Sequence, residues 1–184
     1  MLEPIESLRV SARSLPSDEF CKTLGGPLLL QREAIEGDLL YAGHEHTTPT
    51  LRPGATLLFE SVRPSLKERL AGWPNPGRRA VPEQVFRLAR DGKSNLSVGR
   101  ALDNDLVLKD PAVSQHHARL HVLAGTDWAF ATDVGSRNGV GYNGRRLAQG
   151  ERAELLSGDE LSFGSQAFIF LGAYDLHRYL TGKL

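Results

Sequence analysis

The chain has 184 residues, in which 22 Lys and Arg side chains are balanced by 22 Asp and Glu side chains. A hydrophobic fraction of 40% beside 24% charged residues is typical of a globular protein that buries a core, which argues against a disordered chain. No apolar run approaches the roughly 20 residues of a membrane helix, and the zero net charge argues against a general nucleic-acid binder.

The start of the chain and its cysteine content indicate a cytoplasmic protein. Residues 1–6 are acidic in character and lack the basic and apolar regions of a signal peptide. The single cysteine, Cys21, cannot form an internal disulfide. We therefore expect a reducing compartment.

The N-terminal part predicts a mixture of helix and strand. A helix is expected to begin within Leu15–Phe20, where proline and acidic residues occupy the first turn, and to end at Gly25-Gly26. The apolar run Pro27–Gln31 predicts a buried strand, and Ala55–Val62 predicts a second one. Two prolines and two glycines within 72–77 indicate a linker, so we place a domain boundary there.

The C-terminal part predicts a series of short strands. Apolar and polar residues alternate in the segments 85–89, 96–98, 106–108, 117–122, 128–131, 161–163 and 167–170. Turn pairs such as Asn138-Gly139 separate these segments, a spacing that predicts an antiparallel β-sandwich over residues 80–172. The tail, residues 173–184, predicts a short helix over Ala173–Leu180. Residues 1–76 are then an α+β extension of unknown role.

Four polar clusters lie in the predicted loops, where a rigid sheet leaves side chains and backbone exposed. They are Gly99-Arg100, Ser114-Gln115-His116-His117, Asp133 to Gly139, and Asn143-Gly144.

The side chains of these clusters suit a phosphate group that is attached to a peptide. Arg100 and Arg137 provide planar, permanently charged forks. Ser114 provides a hydroxyl donor, and the amides of Gln115 and Asn138 both donate and accept. An arginine and a hydroxyl can bind phosphate oxygens while an amide pairs with the ligand backbone. A phosphorylated side chain, with a charge of about −1.5 to −2, is the ligand class that this set favours.

The order of the clusters resembles the pattern of the forkhead-associated (FHA) domain family. That pattern is Gly-Arg, then Ser-x-x-His, then Ser-x-Asn-Gly, then Asn-Gly, and all four steps are present here in that order. The resemblance covers about residues 80–172. It implies a mainly β fold, an antiparallel sandwich of about eleven strands, here with a small α+β extension before it and a short helix after it. It also implies a module that binds phosphothreonine peptides.

The resemblance implies a role for each matching residue. Arg100 and Ser114 would contact the phosphate, Arg137 would lie beside it, and Asn138 would hydrogen-bond the peptide backbone. Gln115 stands where many members have Arg or Asn, which leaves its phosphate contact open. The remaining motif positions would be structural: Gly99, His117, Gly139, Asn143 and Gly144.

An enzyme is the competing interpretation of these clusters. Ser114, His117 and Asp133 are the residue types of a hydrolase triad. However, the sequence contains no Gly-x-Ser-x-Gly elbow, and the resemblance gives His117 the role of bracing the loop that carries Ser114. A metal site at His44-Glu45-His46 lacks a clear further ligand, so a solvated loop is expected there. We therefore expect no catalysis, no metal and no cofactor.

The sequence thus predicts a phosphothreonine-binding signalling or adaptor module. Its partners would be proteins phosphorylated by an upstream Ser/Thr kinase, with neither nucleic acid nor a membrane involved. An alternative keeps the fold but makes the domain a phosphate-independent scaffold within a larger assembly.

Overall fold

The computed structural model describes residues 3–31, 65–67, 84–89, 92–123 and 125–184. Within these ranges the chain forms twelve strands: β1 (Glu3–Pro4), β2 (Leu28–Gln31), β3 (Gln84–Arg87), β4 (Asn95–Gly99), β5 (Leu106–Val107), β6 (Ala118–Val122), β7 (Ala129–Asp133), β8 (Val140–Tyr142), β9 (Arg145–Arg146), β10 (Arg152–Leu155), β11 (Glu160–Phe163) and β12 (Gln166–Leu171). The helices whose full extent is described are α1 (Glu6–Ser14), α2 (Ser17–Leu24) and α3 (Ala173–Leu180).

The strands form two sheets that share a core. One sheet has the order β1-β3-β2-β12-β11-β8-β9, and the other has the order β10-β7-β6-β4-β5. Pairing is antiparallel except between β4 and β5. Apolar side chains from both sheets, such as Leu120, Ala131, Phe163 and Phe168, form one buried cluster. The predicted mainly β antiparallel sandwich is confirmed.

A helical layer covers the outer face of the seven-stranded sheet. In β12, Phe168 and Phe170 belong to the sandwich core, whereas Ile169 and Leu171 belong to a second cluster with residues of the three helices. Burial of both faces explains why this strand is an unbroken apolar run. The terminal helix has the predicted bounds, Ala173–Leu180.

The predicted N-terminal helix corresponds to α2, which ends where Gly25 adopts the left-handed conformation with φ 81°. Before it, α1 is an additional helix that the sequence analysis did not identify. Its buried residues are only Leu8 and Ala12, so the apolar stripe is short.

The predicted strand at 27–31 forms β2 and lies inside the seven-stranded sheet rather than at its edge. Its residues pair with β12 on one side, as in Leu30 with Ile169, and with β3 on the other, as in Leu30 with Val85. The predicted strand at 55–62 and the predicted linker at 72–77 lie outside the described residues, as does the His44-Glu45-His46 sequence. The domain boundaries at 76, 80 and 172 therefore stay predictions.

Candidate functional site

Arg100 and Ser114 lie side by side, although the two residues come from different loops. Arg100 begins the loop after β4, and its backbone N–H donates to the carbonyl oxygen of Ser114 at 2.9 Å. Its side-chain Nε donates to the carbonyl oxygen of Val113 at 3.2 Å. The guanidinium group therefore lies along the loop between β5 and β6, next to Ser114.

A third loop, between β7 and β8, joins this pair through Ser114. The backbone N–H of Arg137 donates to the Ser114 hydroxyl oxygen at 3.0 Å. One residue further, Nδ2 of Asn138 donates to the carbonyl oxygen of Ala112 at 2.7 Å. The three loops thus meet at one end of the sandwich and carry the predicted ligand-binding residues.

His117 connects the loop between β5 and β6 to the loop between β7 and β8. Its ring is fully buried. Nδ1 accepts the backbone N–H of Ser114 at 3.0 Å, while Nε2 lies 3.0 Å from the carbonyl oxygen of Gly139. Because a carbonyl oxygen only accepts hydrogen bonds, Nε2 carries the proton. Nδ1 is unprotonated, so the imidazole ring is neutral. Both nitrogens are therefore occupied by backbone groups.

These contacts do not form the chain of hydrogen bonds that a hydrolase triad requires. Nδ1 of His117 bonds the Ser114 amide and not its hydroxyl. The carboxylate of Asp133 accepts the N–H groups of Gly135 and Ser136 at 2.7 and 2.8 Å and the Ser136 hydroxyl at 2.6 Å. Neither His117 nor Asp133 is arranged to activate Ser114 as a nucleophile.

Asp133 instead shapes the loop between β7 and β8. Burial alone would raise its pKa, but the hydrogen bonds from Ser136 and Gly135 outweigh burial and hold the pKa below its ordinary value. The Ser136 hydroxyl also accepts the N–H of Gly139 at 2.8 Å. Asp133 and Ser136 together close the loop that presents Arg137 and Asn138.

Gly99 permits the close contact of the first two loops. A Cβ atom at this position would overlap the carbonyl oxygen of Gln115. That oxygen accepts the N–H of Ala101 at 3.1 Å and Nδ2 of Asn104 at 2.8 Å. The side chain of Gln115 is exposed on the same loop.

The site is electropositive at its surface. Arg100 and Arg137 are both exposed, and in the described part of the chain no carboxylate lies within ion-pair distance of either. The Ser114 hydroxyl accepts one hydrogen bond, which leaves its hydrogen available to an acceptor from outside. The arrangement can bind a compact anion bearing several acceptor oxygens.

Asn143 and Gly144 belong to a turn and do not join this cluster. Asn143 has φ 50°, and its amide bonds Asp159 Oδ1 at 2.8 Å and the N–H of Glu160 at 2.9 Å. This turn ties β8 to β11 within the seven-stranded sheet.

Two supporting residues escaped the sequence analysis. Asn104, only 7% exposed, donates to the carbonyl oxygens of Ala101 and Gln115. Arg146 donates through Nη2 to the carbonyl oxygen of Arg137 at 3.1 Å. Neither position stands out in a single sequence, because Asn104 lies in a polar loop and Arg146 follows another arginine.

The buried histidine predicts a loss of stability in mild acid. Burial lowers the pKa of His117 below its ordinary value of 6.5. At a pH between the folded and the unfolded pKa, the ring is therefore protonated in the unfolded chain and neutral in the folded protein. Its stabilising contribution is complete above the unfolded pKa and is lost as the pH falls below it towards the folded value. We expect the free energy of unfolding in urea to fall between about pH 7.5 and pH 5.5.

The variant His117→Gln should lack this part of the pH dependence, because glutamine does not titrate. NMR titration of the His117 ring in the unaltered protein tests the same point without a variant. A ring that protonates in the folded protein at its ordinary pKa would contradict the prediction.

Two kinds of feature are absent from the described residues. None of their helices combines the length and the apolar character needed to cross a bilayer. They also contain no group of three or more His, Cys, Asp or Glu side chains placed to hold a metal ion.

Comparison with known proteins assigns the domain that contains the site. Residues 96–164 match the family model of the FHA domain. The chain is similar to the glycogen accumulation regulator GarA of Mycolicibacterium smegmatis, with 33% identity over 98 residues, 53% of this chain and 53% of that protein. The chain therefore spans about half the length of this curated relative.

Two solved structures of FHA domains are also similar to part of this chain. One is the FHA domain of the CT664 protein from Chlamydia trachomatis, with 27% identity and a TM-score of 0.42 over 47% of this chain and 83% of that chain. The other is the yeast Dun1 FHA domain in complex with a doubly phosphorylated (pT) peptide, with 29% identity and a TM-score of 0.42 over 50% of this chain and 67% of that chain. By the family match and by the four motifs in their order, residues 96–164 of this chain are an FHA domain.

Proposed function

We propose that this FHA domain binds a phosphothreonine peptide at the three loops that carry Arg100, Ser114 and Arg137. The observation that supports this most directly is the position of the Ser114 hydroxyl. It is oriented by the N–H of Arg137, it lies beside Arg100, and its own hydrogen is available. A hydroxyl and a guanidinium on adjacent backbone segments are complementary to two oxygens of one phosphate.

Each residue then has a defined task. Arg100 uses its terminal amino groups on phosphate oxygens, because Nε is already bonded to the carbonyl of Val113. Ser114 donates to a second oxygen, and Arg137 adds positive charge beside it. Asn138 has one amide hydrogen bonded to Ala112, so its oxygen and its other hydrogen can pair with the peptide backbone. Gln115, exposed on the Ser114 loop, is proposed as a contact at the rim.

A domain with these contacts would bind a phosphorylated protein and would not itself transfer a phosphate group. An upstream Ser/Thr kinase would create the ligand, and the domain would recruit the modified protein as an adaptor in signalling. A non-enzymatic, regulatory role is consistent with the FHA family match. We place the protein in the cytoplasm, as its composition predicts.

The test compares two degenerate peptide libraries that differ only in the central residue, which is phosphothreonine in one and threonine in the other. Isothermal titration with a degenerate phosphothreonine library should give binding that the unphosphorylated library does not. Equal binding of both libraries would contradict the proposal. Capture of a cellular partner that survives phosphatase treatment would favour the scaffold alternative.

A further inference from the structure

Four exposed apolar side chains lie at the end of the domain opposite the proposed phosphate site. Leu123, Trp128, Leu156 and Tyr174 are 48%, 59%, 43% and 55% exposed, and they are four of the seven large apolar side chains exposed in the described part of the chain. Trp128 precedes the first residue of β7, whereas the loop of the phosphate site follows the last. Strand β7 separates the two ends by about 15 Å. We refer to these four side chains as the apolar patch.

Three members of the apolar patch form a row across neighbouring strands. The N–H of Leu123 donates to the carbonyl oxygen of Trp128 at 2.9 Å. On the other side of β7, the register ends with the pair Leu155 and Ala129, so Leu156 and Trp128 follow directly. Because that last pair is buried and successive side chains point to opposite faces, Leu156 and Trp128 point outwards. Two strand spacings make this row about 10 Å wide.

The start of α3 is held against the same end of the sandwich, which brings Tyr174 to the row. Both carboxylate oxygens of Asp127 accept the N–H of Ala173 at 3.2 Å. The Ser157 hydroxyl oxygen accepts the N–H of Gly172 at 2.9 Å. Tyr174 follows these two contacts directly, and their partners are the immediate neighbours of Trp128 and Leu156 in the chain.

The charged residues around the apolar patch are acidic. Within two positions of its four members the sequence has Asp127, Glu154 and Asp175, but no Lys or Arg. Asp175 faces Arg178 at 3.7 Å. Among the residues that the structure describes, no cation lies within 4.0 Å of the exposed Asp127 and Glu154. Complementary charge therefore favours a ligand that combines apolar and cationic side chains.

A basic amphipathic segment fits this surface better than a second copy of it does. A two-fold contact between two copies would bring the same acids against each other. In an amphipathic helix, apolar residues seven positions apart are separated by about 10 Å, which is the width of the row. The exposed rings of Trp128 and Tyr174 also attract Lys and Arg side chains through cation–π contacts.

We propose that the apolar patch is a docking surface for a basic amphipathic segment of a partner protein. Apolar side chains of that segment cover Trp128 and Leu156, and its Lys or Arg side chains pair with Asp127 and Glu154. The surface is separate from the phosphate site, so one domain can hold this segment at one end and a phosphorylated protein at the other. The inference does not depend on phosphothreonine binding.

The experiment titrates three peptides of about 14 residues, equivalent to about 20 Å of helix, into the full chain. The first is an amphipathic helix of leucine and lysine. The second has glutamate in place of every lysine, and the third has serine in place of every leucine. Isothermal titration gives the affinities, and NMR shifts of the backbone amides locate the contact on the domain.

The leucine–lysine peptide is also titrated into Trp128→Ser and Glu154→Gln. The matched controls are Val10→Ser and Glu19→Gln, which remove an exposed apolar side chain from α1 and an exposed charge from α2. Circular dichroism checks the fold of each variant.

The leucine–lysine peptide should bind the unaltered chain at least about tenfold more tightly than the other two, because one of them brings like charge and the other lacks apolar anchors. Trp128→Ser should weaken its binding about 30-fold, as loss of a tryptophan hot spot does. Glu154→Gln should weaken it about threefold, as loss of an exposed ion pair does, and the controls should stay within about twofold.

Undiminished binding by Trp128→Ser, or amide shifts confined to the phosphate-site loops, would overturn the inference. So would equally tight binding of the glutamate peptide at the apolar patch. Sedimentation in which the unaltered chain self-associates and Trp128→Ser does not would assign the patch to a second copy instead.

Discussion

Replacing Arg100 by alanine is expected to weaken binding of a phosphothreonine peptide at least about 100-fold. Two hydrogen bonds to a charged group contribute about 1.5 to 3 kcal/mol each, and every 1.4 kcal/mol is a factor of about ten in affinity. The side chain is exposed and its described protein contact is the single hydrogen bond from Nε to Val113, so the fold should persist. Isothermal titration measures the affinity, and circular dichroism measures the fold.

The matched control is Arg119→Ala, which removes an exposed arginine from the outer face of the five-stranded sheet. It should leave the affinity within about twofold, because Arg119 makes no described contact with the three loops and an exposed charge is screened by salt. Arg100→Lys should recover part of the affinity, since it keeps the charge but loses the planar fork. Undiminished binding by Arg100→Ala would show that the phosphate lies elsewhere.

Gly99→Ala is expected to cause a large loss of stability. The new Cβ would overlap the carbonyl oxygen of Gln115, and it would lie 2.9 Å from Nδ2 of Asn104. Both neighbours are fixed, because the carbonyl accepts two hydrogen bonds and the Asn104 amide donates two. The backbone must therefore move, at a cost of about 3 kcal/mol in the free energy of unfolding. Urea denaturation measures this cost.

Gly150→Ala separates the overlap from the conformational preference of glycine. Gly150 has φ 76°, which disfavours alanine, but a Cβ there meets nothing within 4 Å. Its expected cost is only about 1 kcal/mol. Equal costs for the two variants would show that the first two loops are not packed as described.

Most strands of the β-sandwich could be predicted from the local alternation of apolar and polar residues. Alternation in segments such as 118–122 and 129–133 predicts strands because neighbouring residues decide which side chains share a face. The helix at Ala173–Leu180 was equally local, since Gly182 follows its end. The residues of the candidate site could also be predicted, because the order of the four motifs matches a family pattern.

Other features depended on contacts between distant parts of the chain. Gln31 bonds Gln166 across 135 positions, and β2 lies in the middle of its sheet between β3 and β12, which both come much later in the chain. The use of Arg146 against the Arg137 loop has no local signal either. It depends on the turn after β8 bringing the two segments together.

The sequence by itself determined which side chains are candidates for binding a ligand and which short segments become strands. Only the tertiary structure decided that Arg100, Ser114 and Arg137 share one surface, with Arg146 behind it. Hydrophobic periodicity and turn chemistry act between near neighbours and are therefore visible in the chain. The meeting of three loops follows instead from sheet register and from a buried His117 that bonds two of them, and both depend on the completed core.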